Sequence, residues 1–351
     1  MKSKTDHLAL VYLGKSGGGV AFFESVYLDL NEFGNILGIL ATDTEVKLPV
    51  SSRLIHVRTP HKIWDLFLDL RWISSSIAMV LKVFRLGISD VVFLMPQPTD
   101  YLISIFFRLC KIQVSYVIHD PLHHRGELWP FHRSMKARFR ISYKVFFLSS
   151  FVANQFRQFD VEKKSITSKL EARRHLKGAN VNFTKQYGNY FLHVGRMKRY
   201  KGLDRMLAVW EELENPESCL VIAGEGIKKC LMGKRIPNNV IQLDRWLTDA
   251  EVWELIENSK GVILLYEEAT QSGVAAIALN LGIPILSTNV GGLREQLQDT
   301  SNTLVVENNL SDIRQGLTNF LKFDRIEKSV LELEAPMDVS LKIIEELCKG
   351  D

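Results

Sequence analysis

The chain is short of the features that mark secreted, membrane-spanning or cofactor-loaded proteins. Its 351 residues include four cysteines, Cys110, Cys219, Cys230 and Cys348. They are scattered with no C-x-x-C pair, so a disulfide framework is excluded and reduced cytosolic thiols are expected. No uncharged run reaches the roughly 18 residues of a bilayer span. The long amphipathic to apolar segment Ile63–Leu86 is interrupted by Asp65, Asp69, Arg71, Lys82 and Arg85, and reads as a packed helix that could touch a membrane surface. The opening MKSKTDHLALVYLG holds a short apolar run, Leu8–Leu13, that leads straight into glycines. It reads as a first core strand and not as a signal peptide. No G-x-G-x-x-G, Walker A or H-E-x-x-H motif is present, and no repeat or low-complexity tract appears. The basic residues lack regularly interleaved aromatics, which argues against a nucleic-acid partner.

What is present is the composition of a soluble globular protein, 46% hydrophobic and 24% charged, long enough for two domains. The charge is unevenly placed. Up to Asn180 there are 25 Lys+Arg against 15 Asp+Glu; the remainder holds 19 against 25. A basic half joined to an acidic half suggests that the first half faces something anionic: a membrane surface, a phosphorylated acceptor or nucleic acid.

Strand and helix patterns alternate in both halves. Buried-type strands are expected at residues 7–13, Ile36–Ala41, Leu54–Val57, Val91–Met95, Val114–Ile118 and Lys144–Ser149. Residues 133–140 are a basic patch, and SSFVANQF reads as a Ser-capped helix start. Periodicity fades between Asp160 and Asn189, where a domain boundary is expected. Strands then resume at Tyr190–Val194, Cys219–Ala223, Val240–Leu243, Gly261–Leu265 and Pro284–Ser287. The pattern predicts an α/β protein of two doubly wound, Rossmann-like parallel sheets facing one another.

Four stretches could carry chemistry. Gly17, Gly18 and Gly19 sit at the first strand-to-helix turn, where backbone can approach a phosphate or sugar; a tight turn with no ligand is the competing reading. GRMKRYKG, Gly195–Gly202, follows a strand and precedes a helix. It would place Arg196 and Lys201 at a sheet edge, able to clamp a diphosphate as fork and point charge. His119 ends a strand on the same kind of edge and could bind a substrate hydroxyl or support developing charge. His123, His124, Asp120 and Glu127 follow, but HDPLHH lacks helical i, i+4 pairing and no metal site is expected. Finally, Gly261–Leu297 supplies two strand-to-helix junctions, with Thr270, Gln271 and Ser272 as small polar donors beside free backbone N–H groups. An ordinary βα unit capped by Ser272 is the competing reading.

Together, FLHVGRMKRYKGLDRML, LVIAGEG, LDRWLTDAEVWELIENSKGVILLY and ATQSGVAAIALNLGIPILSTNVGGLREQL resemble the nucleotide-binding domain of GT-B glycosyltransferases of the retaining family 4, or group 1, type. GKSGGGV, VSYVIHD and VFFLSSFVANQF match the first domain more loosely. The resemblance implies a GT-B fold with an interdomain cleft, divided as residues 1–180 on the acceptor side, 181–335 on the nucleotide-sugar side, and 336–351 as a helix crossing back. It implies that Arg196 and Lys201 hold the donor diphosphate, approached by Gly17–Gly19. His119 would lie against the transferred sugar as the catalytic group. Glu268, Thr270, Gln271, Ser272, Gly273 and Val274 would contact sugar and phosphate, and Arg245, Trp246 and Leu247 would border the base. It further implies a metal-independent, retaining hexosyltransferase without a cofactor, the nucleotide sugar being substrate. The expected acceptor is a glycan, carried on lipid, in bacterial surface polysaccharide synthesis (lipopolysaccharide or capsule). The chain would be cytoplasmic or peripheral on the inner face of the membrane. One position departs from the pattern: where the family places a second glutamate, five residues before Gly282, this chain has Ile277, which accepts no ribose hydrogen bond. That substitution supports one alternative, a non-catalytic partner of a glycan-assembly complex; a second alternative, a sugar-nucleotide epimerase, would need a pair of acid/base carboxylates, and no clear pair is visible in the sequence.

Overall fold

Strands that are apolar on both faces must be covered on both, and short runs such as LALVY and YFLHV meet that condition in parallel sheets flanked by helices. The computed structural model describes residues 5–15, 18–60, 65, 69–119, 131–172, 182–213, 218–233, 235–298, 300–322 and 336–348. The chain divides into two compact units, Met1–Lys169 with Pro336–Asp351, and Leu170–Ala335.

The first unit is built on seven parallel strands in the order β3-β2-β1-β4-β5-β6-β7. These are β1 (Leu8–Tyr12), β2 (Leu37–Ala41), β3 (Leu54–Val57), β4 (Asp90–Phe93), β5 (Gln113–Ile118), β6 (Val145–Phe147) and β7 (Ser165–Thr167). Helix α1 (Gly18–Asn31) packs against the C-terminal helix of the chain, so the last segment belongs to this unit. Buried Asp29 fastens the two, its Oδ2 accepting from Met337 N at 2.9 Å and Ser340 Oγ at 2.8 Å. Helices α2 (Arg71–Arg85), α3 (Asp100–Leu109), α4 (Phe131–Ile141) and α5 (Ser150–Gln155) follow. They contribute Met79, Val83, Ile103, Phe107, Met135, Phe139 and Val152 to one core with Ala9, Val11, Ile39 and Val91. Ser149 caps α5 through Val152 N, as the sequence predicts. The helix expected over Ile63–Leu86 is described from Arg71; residues 61–64 and 66–68 lie outside the described set.

The second unit carries six parallel strands in the order β10-β9-β8-β11-β12-β13. They are β8 (Tyr190–Val194), β9 (Cys219–Ala223), β10 (Val240–Leu243), β11 (Gly261–Leu264), β12 (Ile285–Thr288) and β13 (Thr303–Val306). Between them run α6 (Leu203–Glu212), α7 (Ile227–Cys230), α8 (Asp249–Glu257), α9 (Gly273–Asn280), α10 (Leu293–Leu297) and α11 (Leu310–Phe320), and the chain's last helix is α12 (Asp338–Leu347). One face of this sheet packs Tyr190, Leu192 and Val194 against Trp253, Ile256, Ala275, Ala278 and Leu293; the other packs Phe191 against Met206, Trp210, Ile313 and Phe320. The two-residue period of β8 puts His193 on the Phe191 side.

In each sheet the winding reverses once, between β1 and β4 in the first unit and between β8 and β11 in the second. At such a switch point the loops leaving the two central strands diverge and leave a crevice at the carboxyl edge. Among the described residues no helix is long and apolar enough to cross a membrane.

Candidate functional site

The switch point of the second unit lies between the loop after β8, Gly195–Gly202, and the loop after β11, Leu265–Ser272. The two loops are tied to each other. Glu267 N donates to Tyr200 O at 2.7 Å, and Arg205 Nη2 donates to Leu265 O at 2.9 Å. Gly202 makes the close approach possible: its φ is +67°, and a Cβ there would overlap the Leu265 carbonyl oxygen. Only a glycine supplies both the left-handed turn into α6 and that contact.

Lys201 is held at the centre of this junction and is 8% exposed. Its Nζ donates to Tyr266 Oη at 2.6 Å and lies 4.2 Å from the centre of the Tyr266 ring. Tyr266 is itself fixed, its carbonyl accepting from Thr288 Oγ1 at 2.6 Å. No carboxylate pairs with Lys201 among the described residues. A buried ammonium normally has an anionic partner; here a phenol and its π face are the partners supplied. Beneath it, His193 donates from Nδ1 to Ile263 O at 2.8 Å, while its buried Nε2 has no partner among the described residues. Burial drives the imidazole down to about 4, with the Lys201 charge adding to the effect, so His193 is neutral. The local charge is therefore one uncompensated cation, and the arrangement is suited to an anion.

Arg196 stands in the same loop. Its backbone neighbour is pinned, Met197 N donating to Glu225 O at 2.8 Å, while its exposed side chain makes no ion pair or hydrogen bond among the described residues. The third side of the loop cluster is the start of α9. Ser272 Oγ caps Ala275 N, and Ser272 is locked by Gln296, which accepts from its N–H at 2.9 Å and donates to its carbonyl at 3.0 Å. Among the described residues the amides of Gly273 and Val274 have no acceptor, at the positive end of a helix, where anions are favoured. Thr270 is half-buried, Gln271 is buried, and Glu268 is exposed. Ile277, three residues into the helix body from Val274, packs against the sheet core with Leu255 and Leu264 in the same apolar cluster.

The GEG turn after β9 is not open to an anion, because the chain fills it with its own carboxylate. Asp244 Oδ1 accepts from Gly226 N at 2.8 Å and Ile227 N at 3.0 Å, and Oδ2 from Lys228 N at 3.1 Å. Arg245 is likewise engaged, donating to both oxygens of Glu251, at 2.7 and 3.2 Å. That pairing, with the Thr248 cap, holds the Glu251 carboxyl down to about 2. Leu247 is buried in the core, and Trp246 is left 54% exposed beside them, a free aromatic face at the end of β10.

In the first unit, Gly18 opens α1 and is exposed, with space around it. Gly19 has a different reason: a Cβ there, or on Gly14, would overlap the Tyr12 ring, whose hydroxyl burial pushes up to about 12. Close packing of Tyr12 accounts for Gly19 without any ligand. Gly17 lies outside the described residues. His119 is half-buried just beyond β5, at the carboxyl edge of the sheet, while Asp120, His123, His124 and Glu127 fall outside the described residues. Among those described, no group of three or more His, Cys, Asp or Glu is placed to hold a metal. Tyr266 and His193 were not selected from sequence. Tyr266 reads only as the first residue of the polar loop after Gly261–Leu265, and His193 as part of the strand Tyr190–Val194; only the strand order brings them beside Lys201.

Two parallel α/β units of this strand order define the GT-B class, and solved structures across nearly the whole chain share it. Sucrose-phosphate synthase from Thermosynechococcus elongatus is 14% identical, with a TM-score of 0.68 over 97% of this chain and 93% of that one. WaaG, a glycosyltransferase involved in lipopolysaccharide biosynthesis, is 15% identical, with a TM-score of 0.63 over 98% and 100%. The UDP-GlcNAc 2-epimerase of Methanocaldococcus jannaschii is 13% identical, with a TM-score of 0.63 over 98% and 99%. Residues 177–330 match the family model described as "Glycosyl transferases group 1". That match lies within the second unit, which is therefore similar to the group 1 glycosyltransferase domain, while the whole chain shares the GT-B fold. No curated protein sequence matches the chain.

Proposed function

We propose that the protein transfers a hexose-type sugar, with retention of configuration, from a nucleoside-diphosphate donor to a glycan acceptor carried on lipid. The observation that carries this reading is the buried Lys201 ammonium at the switch point, left without a carboxylate. In such a transfer the bond between the sugar's C1 and the diphosphate breaks, an acceptor hydroxyl forms the new bond to C1, and its proton is lost. The developing charge falls on the departing diphosphate. Lys201, Arg196 and the amides of Gly273 and Val274 are the groups that would neutralise it, pre-oriented and partly withdrawn from water. Trp246 offers a stacking face for the base. Divalent metal is not required, since the cations are supplied by side chains. The work would be done on the cytoplasmic face of a bacterial membrane, in the assembly of surface polysaccharide, with His119 toward the transferred sugar.

Ile277 favours one competing reading, a non-catalytic partner that keeps the fold. Partly buried against the core, it leaves no carboxylate for ribose at that position. A thermal-shift screen of UDP, GDP, ADP, CMP and dTDP, with and without EDTA, separates the two. A ligand bound only by the folded state raises the melting temperature by mass action. The transferase reading predicts selective stabilisation by one nucleoside diphosphate, unaffected by EDTA. No shift with any of them would favour the non-catalytic reading.

A further inference from the structure

The loop Leu265–Ser272 contains neither strand nor helix, yet its backbone is held from both sides. On one side it is tied to Tyr200 and Arg205, as described above. The other side is supplied by the segment that leaves β12. Thr288 Oγ1 donates to Tyr266 O at 2.6 Å, and Gly292 N donates to Ala269 O at 3.0 Å. Gln296, in α10, then engages both backbone polar groups of Ser272. Its Oε1 accepts from Ser272 N at 2.9 Å and its Nε2 donates to Ser272 O at 3.0 Å. These three residues recur at every fourth position. Gln296 N also donates to Gly292 O, so the last two lie one helical turn apart on the same face.

What this row of bonds leaves unspent decides its meaning. An N-cap side chain accepts from the second or third amide of its helix, and Ser272 Oγ takes that of Ala275. Gln296 Oε1 is an acceptor at the same helix start, but it is committed to Ser272 N, one residue short of the open amides of Gly273 and Val274. Space lies beside them: Gly273 is exposed, and a Cβ built on it would meet nothing within 4 Å. The same unit does the reverse at its GEG turn, where Asp244 occupies the successive amides of Gly226, Ile227 and Lys228. One helix start is filled from within. The other is fixed in place and left open.

We propose that Gln296 is a positioning residue for anion binding: by holding the Ser272 backbone it aims the Gly273 and Val274 amides at the diphosphate. The inference rests on the diphosphate site proposed above, and gives a role to a side chain that does not itself touch the ligand. The need for it is geometric. Donors serve a charged ligand when they are held within about 0.5 Å and 10–20° of the productive arrangement. A helix that starts at the end of a loop inherits its direction from the last peptide of that loop. Thr288 and Gly292 fix the earlier part of the loop, and among the described residues Gln296 is the side chain from another element that reaches its last residue. A side-chain amide suits the task because it donates and accepts at once, as a neighbouring strand would, and brings no charge to compete with the ligand.

Inorganic pyrophosphate is the probe, in calorimetric titration and in amide NMR of the deuterated, 15N-labelled full chain. Gln296→Met keeps the length of the side chain and removes both hydrogen bonds. Gln296→Glu keeps the acceptor for Ser272 N and removes the donor to Ser272 O, which gives a second test should the methionine variant not fold. In the wild type, pyrophosphate should move the Gly273 and Val274 amide resonances. In either variant, with the melt still cooperative, affinity should fall by about tenfold or more, the loss expected when hydrogen bonds to a charged ligand are misaligned. The response of those two resonances should fade with it. A purely structural role would lower the melting temperature and leave that response intact in the folded protein, and this result would overturn the assignment. So would a wild type whose Gly273 and Val274 resonances ignore pyrophosphate. Pyrophosphate binding that follows the predicted pattern, in a protein that consumes no nucleotide sugar, would uphold the role of Gln296 and refute the transferase reading alone.

Discussion

Replacing Lys201 by methionine separates a binding residue from a structural one, because the two roles predict opposite signs on stability and affinity. The substitution keeps a flexible side chain of similar length and removes the charge. It deletes the hydrogen bond to Tyr266 Oη and the interaction with its ring, worth about 1.5–3 kcal/mol for a charged donor and about 2 kcal/mol for a desolvated cation–π contact. Against this, the mutation removes the cost of burying an ammonium with no counter-ion, also several kcal/mol. The two nearly cancel. Lys201→Met should therefore melt within about 4 °C of the wild type, as a net change of about 1 kcal/mol shifts a unit of this size by about 2–4 °C. Affinity has no such compensation. Truncating one partner of a buried charge pair costs about 2–5 kcal/mol, so binding of the stabilising nucleoside diphosphate should fall at least about 30-fold. Calorimetric titration beside a thermal melt measures both. A melting temperature lowered by more than about 8 °C with unchanged affinity would refute the reasoning and make Lys201 a packing residue.

Three further outcomes follow from the same geometry. His193 is held neutral, its folded pKa lowered from 6.5 to about 4, so its contribution is full above pH 6.5 and is lost as pH falls through 4. At about 1.4 kcal/mol per pH unit this amounts to about 3 kcal/mol. The stability difference between wild type and His193→Gln should shrink by that order between pH 7 and 4 in urea melts, and a pH-independent difference would contradict it. Asp29→Ala strands the Met337 amide and the Ser340 hydroxyl in a buried site, at about 1–3 kcal/mol each. Limited proteolysis should then release the C-terminal helix at protease levels the wild type resists. Gly202→Ala combines a left-handed φ with overlap on the Leu265 carbonyl and should destabilise by about 3 kcal/mol or more; a neutral melt would show that the two loops part easily.

The strands were legible because parallel sheets bury both faces, which leaves unbroken runs such as VVF, YVI and GVILL. β7 and β13 were missed for the converse reason. They sit at the outer edges of their sheets, only half-buried; SIT is short with a single large apolar residue, whereas TLVV is apolar but only four residues long, in a polar surrounding sequence. Helix α4 read as a basic patch, since its charges outnumber the few apolar residues, Met135 and Phe139, that anchor it. At the site, Lys201 was visible because glycines bracket it between a strand and a helix. Gly19 has a further requirement that the sequence did not show: its missing side chain makes room for Tyr12 seven residues earlier, a contact that depends on how the loop folds back. The engagement of Arg245 by Glu251 had a local signal, the Thr248–Glu251 capping box, but the ion pair itself depends on the loop's conformation. Tyr266 had no local signal, because the partner that gives it a role comes from the other side of the switch point.

The most direct test of the account is turnover. Purified protein would be incubated with nucleotide sugars on UDP, GDP, ADP, CMP and dTDP in EDTA, with membrane extracts as acceptor source, and release of free nucleotide measured. The account predicts that one donor is consumed with release of its nucleoside diphosphate, and that Arg196→Ala with Lys201→Ala abolishes the release while the protein still melts cooperatively. Release that the double variant leaves unchanged would contradict the assignment of these two cations. A protein that neither binds nor consumes any donor would contradict the central claim.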